Sequence, residues 1–342
     1  MFSKHDNSLL VRAMRGLPVE RTPIWIMRQA GRYMPEYRAI RSGLSFLDLC
    51  KNPEKAAEVT LLPIEMLNVD AAIVFSDILV PIEAMGCPVE FGDGGPRLPR
   101  PVRDVAALTN LRIPDPNKDC PWAAETIRLL DKPLGDIPCL GFAGAPFTLA
   151  SYMIEGGTSR NFTHIKTMMF QKPELLHGLL DLISETVVVY LQSQIDAGAA
   201  GVQLFDTWAG ILAPQDYENF ALPYQKRVFD GIGRSVPRIL YVNGCGTYLT
   251  QMKASGADVI SLDWRVSMRA ARQILGPEIP VQGNLEPSRL YGPNERTAER
   301  AHFVLKEAGP TGHIFNLGHG ILPDVSVESA VALVKSVQSF RH

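Results

Sequence analysis

Four arginines, Arg28, Arg32, Arg38 and Arg41, stand within fourteen residues against one acid, Glu36. The stretch therefore carries +3 in a chain whose formal charge is −2. They follow the apolar run Ile24-Trp25-Ile26-Met27 and are interrupted by Gly31, which permits close backbone approach, and by Pro35, which stops regular structure. A solvated helix face would also be rich in arginine. Here no amphipathic helix is evident, and cations that follow directly on a buried strand ask for an anionic partner.

Other chemistry-bearing residues sit in similar settings. Asp77 closes the apolar stretch Ala-Ala-Ile-Val-Phe-Ser-Asp. It reads either as an N-cap or as a partly desolvated carboxylate facing a cationic or N–H-rich ligand, and Pro81 weakens the cap reading. His319 lies between Gly318 and Gly320, where no neighbouring side chain shields it and backbone N–H groups are open to anions. Residues 141–152 run through a small-residue turn into a helix opened by Pro146, with room for a bulky ligand and with Tyr152 about two turns in. Tyr152 is either a packing aromatic at the rim or a hydroxyl contact. Phe205, Asp206 and Thr207 present an apolar wall, a carboxylate and a hydroxyl at one strand end. Cys245 follows Asn243, a poor zinc ligand, and His319 is the only other donor at a strand end, so a packing role for Cys245 is favoured over metal.

These residues need a frame that gathers them. Short apolar runs over 23–27, 71–75, 139–143, 201–205, 238–242, 258–262, 280–285 and 313–317 alternate with segments of helical period over 54–67, 173–197, 214–231, 267–275 and 294–308. Near-continuous apolar strands alternating with helices belong to a parallel sheet covered on both faces. Eight such units predict an α/β fold, a (β/α)8 TIM-type barrel forming a single domain over 1–342. The proline- and glycine-rich stretch 78–138 predicts a hairpin and two short helices inserted after the second strand. No dinucleotide fingerprint or P-loop is present to support a doubly wound sheet. Arg28, Arg32, Asp77, Asp206, Thr207, Cys245 and His319 fall just after predicted strands, at the end where barrel enzymes place chemistry.

Composition sets the outer bounds. The 342 residues are 46% hydrophobic and 20% charged, with pI near 6.4. Neither half carries the basic excess that nucleic acid or a membrane surface would attract. Five cysteines without a C-x-x-C pair fit a reducing compartment. With no signal pattern and no apolar run of about 20 residues, the expected location is cytoplasmic.

Arg28-Gln29-Ala30-Gly31-Arg32-Tyr33-Met34-Pro35-Glu36-Tyr37 and 141–157 resemble the two signatures of the uroporphyrinogen decarboxylase family. Residues 75–79 and 316–320 match further blocks. The resemblance implies a carbon–carbon lyase, usually a homodimer, that removes the carboxyl groups of four acetate arms of uroporphyrinogen to give coproporphyrinogen in porphyrin (haem and chlorophyll) biosynthesis, with no cofactor and no metal. It implies that Arg28, Arg32, Arg41 and His319 contact substrate carboxylates. Gln29, Ala30 and Gly31 would offer backbone approach, and Thr207 a hydroxyl. Asp77 would accept the pyrrole N–H groups and stabilise the transition state, with Tyr152 and Arg28 beside it as catalytic residues. Two alternatives stay open: a zinc- and corrinoid-linked methyltransferase of the same superfamily, and a non-catalytic tetrapyrrole-binding protein.

Overall fold

The structure, a computed structural model, describes residues 4–92 and 94–342. Its centre is a seven-stranded sheet, all parallel, built in the order β1 (Ala72–Ile73), β4 (Cys139–Gly144), β5 (Gly201–Asp206), β6 (Arg238–Val242), β7 (Val259–Ser261), β8 (Val281–Gln282) and β9 (His313–Ile314). The remaining pair, β2 (Glu90–Gly92) and β3 (Gly95–Arg97), is an antiparallel ribbon within 78–138. Sequential strands pair with their neighbours, as right-handed crossovers through helices require. The first predicted strand closes the ring without forming a ladder. Ile24 makes a parallel bridge to Phe315 on one side, and its carbonyl accepts the Asp70 N–H at 2.8 Å on the other.

Predicted and observed elements differ mainly in length. The runs over 71–75, 280–285 and 313–317 form ladders of only two residues each, and beyond them Leu285 and Leu317 meet in a single parallel bridge. The helix expected over 214–231 breaks at Ala221, ahead of Pro223, into Pro214–Phe220 and Leu222–Ile232; a proline inside a helix lacks an N–H and clashes with the preceding turn. Segment 78–138 holds the short helices Val80–Ala84 and Val105–Thr109 and a third, Trp122–Leu134. Pro35 and Pro81, expected to stop or weaken helices, each lie at the first turn of one. That position leaves an N–H unpaired in any case, so proline is tolerated there.

Two cores result from the alternation of side chains along the strands. Outward residues such as Val202, Leu204, Leu240, Val242 and Ile260 pack against the ring of helices. Inward residues Trp25, Leu140, Ile239, Tyr241, Val259 and Ile314 fill the barrel together with Leu10, Val11, Ala13 and Met14 of the helix Leu9–Met14, capped by Ser8, which plugs the N-terminal pole. A polar layer crosses this interior. Trp25 Nε1 donates to Gln282 Oε1 (2.9 Å), and Gln282 Nε2 donates to Gln203 Oε1 (3.0 Å) and Ser261 Oγ (2.9 Å). With its middle filled and its lower pole plugged, the barrel keeps its open end at the C-terminal strand ends.

Candidate active site

The arginine loop opens with an unusual backbone. Arg28 has φ +64°, a left-handed conformation that a side chain with a Cβ adopts at a cost of about 1 kcal/mol or more. Its neighbours hold it there. Ile321 N donates to the Met27 carbonyl (2.9 Å), Gln29 N to the Ile26 carbonyl (2.8 Å), and Met27 N to Asn316 Oδ1 (2.8 Å). Gln29 itself is 1% exposed; its Oε1 accepts Ile26 N and its Nε2 donates to the Ala71 carbonyl. Gln29 is thus an internal brace, and its N–H is already used. Ala30 and Gly31 are partly exposed, and their N–H groups form no hydrogen bond among the described residues.

Contrary to the sequence expectation, half of the cluster is helical: Arg38 and Arg41 lie on Pro35–Arg41, while Arg28 and Arg32 are on the preceding turns. None of the four pairs with a carboxylate by direct contact among the described residues. The Arg41 guanidinium lies 5.4 Å from the Phe46 ring centre, and Arg38 caps the Arg32 carbonyl at 2.7 Å.

Asp77 follows β1 and plays part of both roles expected of it. Its Oδ1 accepts Leu79 N at 2.8 Å, ahead of the helix Val80–Ala84. Its Oδ2 has no protein partner among the described residues. Burial pushes its carboxyl up to about 6, against the opposing pulls of that N–H and of Arg28. The side chain still keeps partial access to solvent. It is therefore enclosed by protein yet reachable from the mouth.

Tyr152, on the helix Pro146–Glu155, is half-buried and its hydroxyl is raised above its ordinary value, first by burial and also by the Asp77 charge. Its ring meets Trp208 at 6.0 Å, edge to face, and Trp208 meets Phe162 at 5.1 Å. Thr207, partly exposed on the turn after β5, has a hydroxyl with no protein partner among the described residues. Asp206 departs from expectation. It is fully buried, accepts Thr148 Oγ1 (2.7 Å) and Gln225 Nε2 (2.7 Å), and does not face the mouth. Thr148 Oγ1 in turn accepts Trp208 N at 3.0 Å, so the carboxylate fixes the turn that carries Thr207 and Trp208.

Beside the arginine loop, His319 is half-buried between the rings of Tyr241 (6.3 Å) and Trp264 (6.1 Å). Its Nδ1 accepts Gly320 N at 2.8 Å. Burial, then the charges of Arg28 and Arg265, hold the imidazole down to about 4. At neutral pH it is uncharged, with Nε2–H left as a donor. A Cβ on Gly320 would overlap Cδ of Arg28, so the glycine makes the space in which that arginine lies. Arg28 is thereby the common electrostatic neighbour of Asp77, Tyr152 and His319.

Matched to the family of uroporphyrinogen decarboxylases (URO-D), the sequence aligns over residues 5–340. The chain belongs to that family. Relatives of the family at this distance include the uroporphyrinogen decarboxylase of Myxococcus xanthus, 51% identical over 97% of this chain and 96% of its own length. That of Geobacter metallireducens is 51% identical over 97% and 98%. A solved methyltransferase from Methanosarcina mazei superposes with a TM-score of 0.83 over 99% of both chains at 22% identity, a likeness of fold alone.

The structure brings Arg28, Asp77, Thr207 and His319 to the loops that follow the strands, with Tyr152 on the helix after β4. Arg265 was not singled out by sequence reasoning; the Trp-Arg pair just after a strand end was the available signal. The donor set of a zinc site is not gathered at Cys245. Its thiol is buried, pushed up to about 12 chiefly by burial, and its sulfur accepts Asp263 N. Among the described residues no group of three or more His, Cys, Asp or Glu side chains is placed to hold a metal ion. A cavity of about 540 Å³ lies at the opposite pole, beside Met14, Lys253 and Pro280, and has no part in this site.

Proposed function

We propose that this chain decarboxylates the four acetate arms of uroporphyrinogen, with Asp77 as the group on which turnover depends. The observation that carries the reading is a carboxylate with one oxygen spent on a backbone N–H and the other without a protein partner among the described residues, beside Arg28, which itself has no carboxylate in direct contact. A macrocycle with eight carboxylates matches that charge pattern. Each charge-assisted hydrogen bond contributes roughly 1.5 to 3 kcal/mol.

Losing CO2 from an acetate arm leaves an electron pair on carbon. A pyrrole protonated beside the arm can accept it: the carboxyl carbon–carbon bond breaks, its electrons neutralise the ring, and CO2 leaves. The methylene left behind takes up a proton to become a methyl group, the ring carbon gives up the proton that it took first, and the ring regains its original form with one proton consumed overall. Positive charge on the ring is the costly step. A desolvated carboxylate at the ring centre, uncomfortable alone, is relieved as that charge develops. In this reading Asp77 accepts the pyrrole N–H groups, and Arg28 and Tyr152 flank the reacting arm. Arg32, Arg41, His319 Nε2–H, Thr207 and the Ala30 and Gly31 N–H groups receive carboxylates. Gln29 contributes by bracing the loop.

The same reading takes the chain as one barrel domain, working as a homodimer in the cytoplasm. No helix among the described residues is long and apolar enough to cross a membrane. Size-exclusion chromatography with light scattering tests the dimer.

The deciding experiment gives purified protein reduced uroporphyrinogen in the presence of a metal chelator. Release of CO2 and formation of coproporphyrinogen are expected. Activity that appears only with zinc and a corrinoid, or binding without turnover, would overturn the reading in favour of a methyltransferase or a carrier.

A further inference from the structure

The turn after β7 brings a further cation to the mouth. Arg265 lies flat on Trp264, its guanidinium carbon 4.0 Å from the ring centre, and Trp264 is one of the two aromatic walls around His319. The side chain is 52% exposed. Its Nη1 donates to Asn243 Oδ1 (3.0 Å) and to Asp263 Oδ2 (3.2 Å). Among the described residues, Nε and Nη2 have no hydrogen-bond partner within the protein. A guanidinium presents five N–H donors in a fixed plane, so a fork anchored at one corner retains an edge for a carboxylate.

Asp263 does not neutralise it. That carboxylate is fully buried and also accepts Gly244 N, Cys245 N and Arg265 N, so its negative charge is spread over a ring of backbone donors. These bonds fix the turn, and the turn fixes Arg265. Stacking on Trp264 removes much of the rotamer freedom that an exposed arginine would lose on binding. The charge of Arg265 reaches His319 and, together with Arg28, helps hold that imidazole neutral.

We infer that Arg265 is a substrate-binding residue that takes one carboxylate arm of the macrocycle at the part of the mouth lined by Trp264 and His319. The inference rests on the proposed porphyrinogen substrate. It adds to the grip a cation carried by a different loop from that of Arg28, Arg32 and Arg41.

The test compares wild type with Arg265→Gln and Arg265→Lys, reading both turnover of uroporphyrinogen and fluorescence-detected binding of the oxidised macrocycles uroporphyrin and coproporphyrin. Arg265→Gln is expected to raise KM and Kd about tenfold, the loss of one charge-assisted contact, with kcat within about twofold and a weaker dependence on salt. Arg265→Lys should recover part of the affinity, which a purely structural role in bracing Asp263 would not give, since a lysine lacks the planar fork. Equal loss for both porphyrins assigns the arm as a propionate, and loss for uroporphyrin alone assigns an acetate. Unchanged affinity for both in a folded Arg265→Gln variant overturns the inference, as does a fall confined to kcat. The binding arm separates the two hypotheses: a wild-type protein that binds uroporphyrin through Arg265 but does not decarboxylate would sink the proposed activity and leave this contact standing.

Discussion

Asp77 is worth most where its two oxygens differ, because Oδ1 is tied to Leu79 N and Oδ2 is open. Replacement by Asn keeps the shape and one acceptor but removes the charge that answers a cationic ring. Turnover of Asp77→Asn should fall at least about 100-fold while uroporphyrin affinity changes less than about threefold. With Asp77 pushed up to about 6, kcat/KM of the wild type should fall as pH drops below 6, because protonation removes the charge. Asp206 is also raised to about 6, by burial. Retention of the acid limb in Asp206→Asn would assign it to Asp77. The sign for stability is opposite. A folded pKa above the unfolded value of 3.8 means that stability conferred by protonated Asp206 is present at low pH and is lost as pH rises through about 6. The stability advantage of wild type over Asp206→Asn in urea should shrink by roughly 2 kcal/mol between pH 4.5 and pH 7. Asp77 and His319 were legible as strand-end residues because apolar runs point to where each strand stops. The burial of Asp206 and the anchoring of Arg265 to Asn243 were not, since they depend on partners distant in sequence, Gln225 for the first and Asn243 for the second.

At the scale of elements, the loop after β9 shapes the site through two glycines with opposite tolerances. The atoms nearest a Cβ on Gly320 would be those of the Arg28 side chain, which can swing away. Gly320→Ala should therefore leave the melting temperature within about 2 °C and raise KM about tenfold as Arg28 is displaced. A Cβ on Gly318 would meet Trp264 N and, at 2.8 Å, the Asp263 carbonyl carbon, which are backbone atoms that cannot yield. Gly318→Ala should destabilise the fold by more than about 2 kcal/mol, measured by urea unfolding. The sequence marked both glycines as permissive, but which one guards an arginine and which guards a backbone is decided by the neighbouring turn. The short ladders of β1, β8 and β9 were likewise unreadable. An apolar run reports burial, and burial continues past the last paired residue.

Across the whole molecule, chemistry and stability occupy opposite poles. The helix Leu9–Met14 seals the lower end with fully buried Leu10 and Ala13. Leu10→Ala should cost about 2 to 5 kcal/mol of stability and leave KM unchanged at temperatures where the variant is folded. Alternation of strands and helices made the barrel readable from the chain alone, whereas its closure was not, because the first strand is held differently from the rest. The register from Leu140 to Gly144 against β5 runs over five residue pairs, while Ile24 has one bridge to Phe315 and one backbone bond to Asp70. The seam of the barrel is thus the segment that carries the arginine loop. Local opening draws on the elements with fewest backbone bonds, so amide exchange at Ile24 and Trp25 should be faster than at the middle of β4 or β5. A bound macrocycle that spans from Arg28 to the far wall would act as a staple across this joint, slowing exchange there more than anywhere else in the wall.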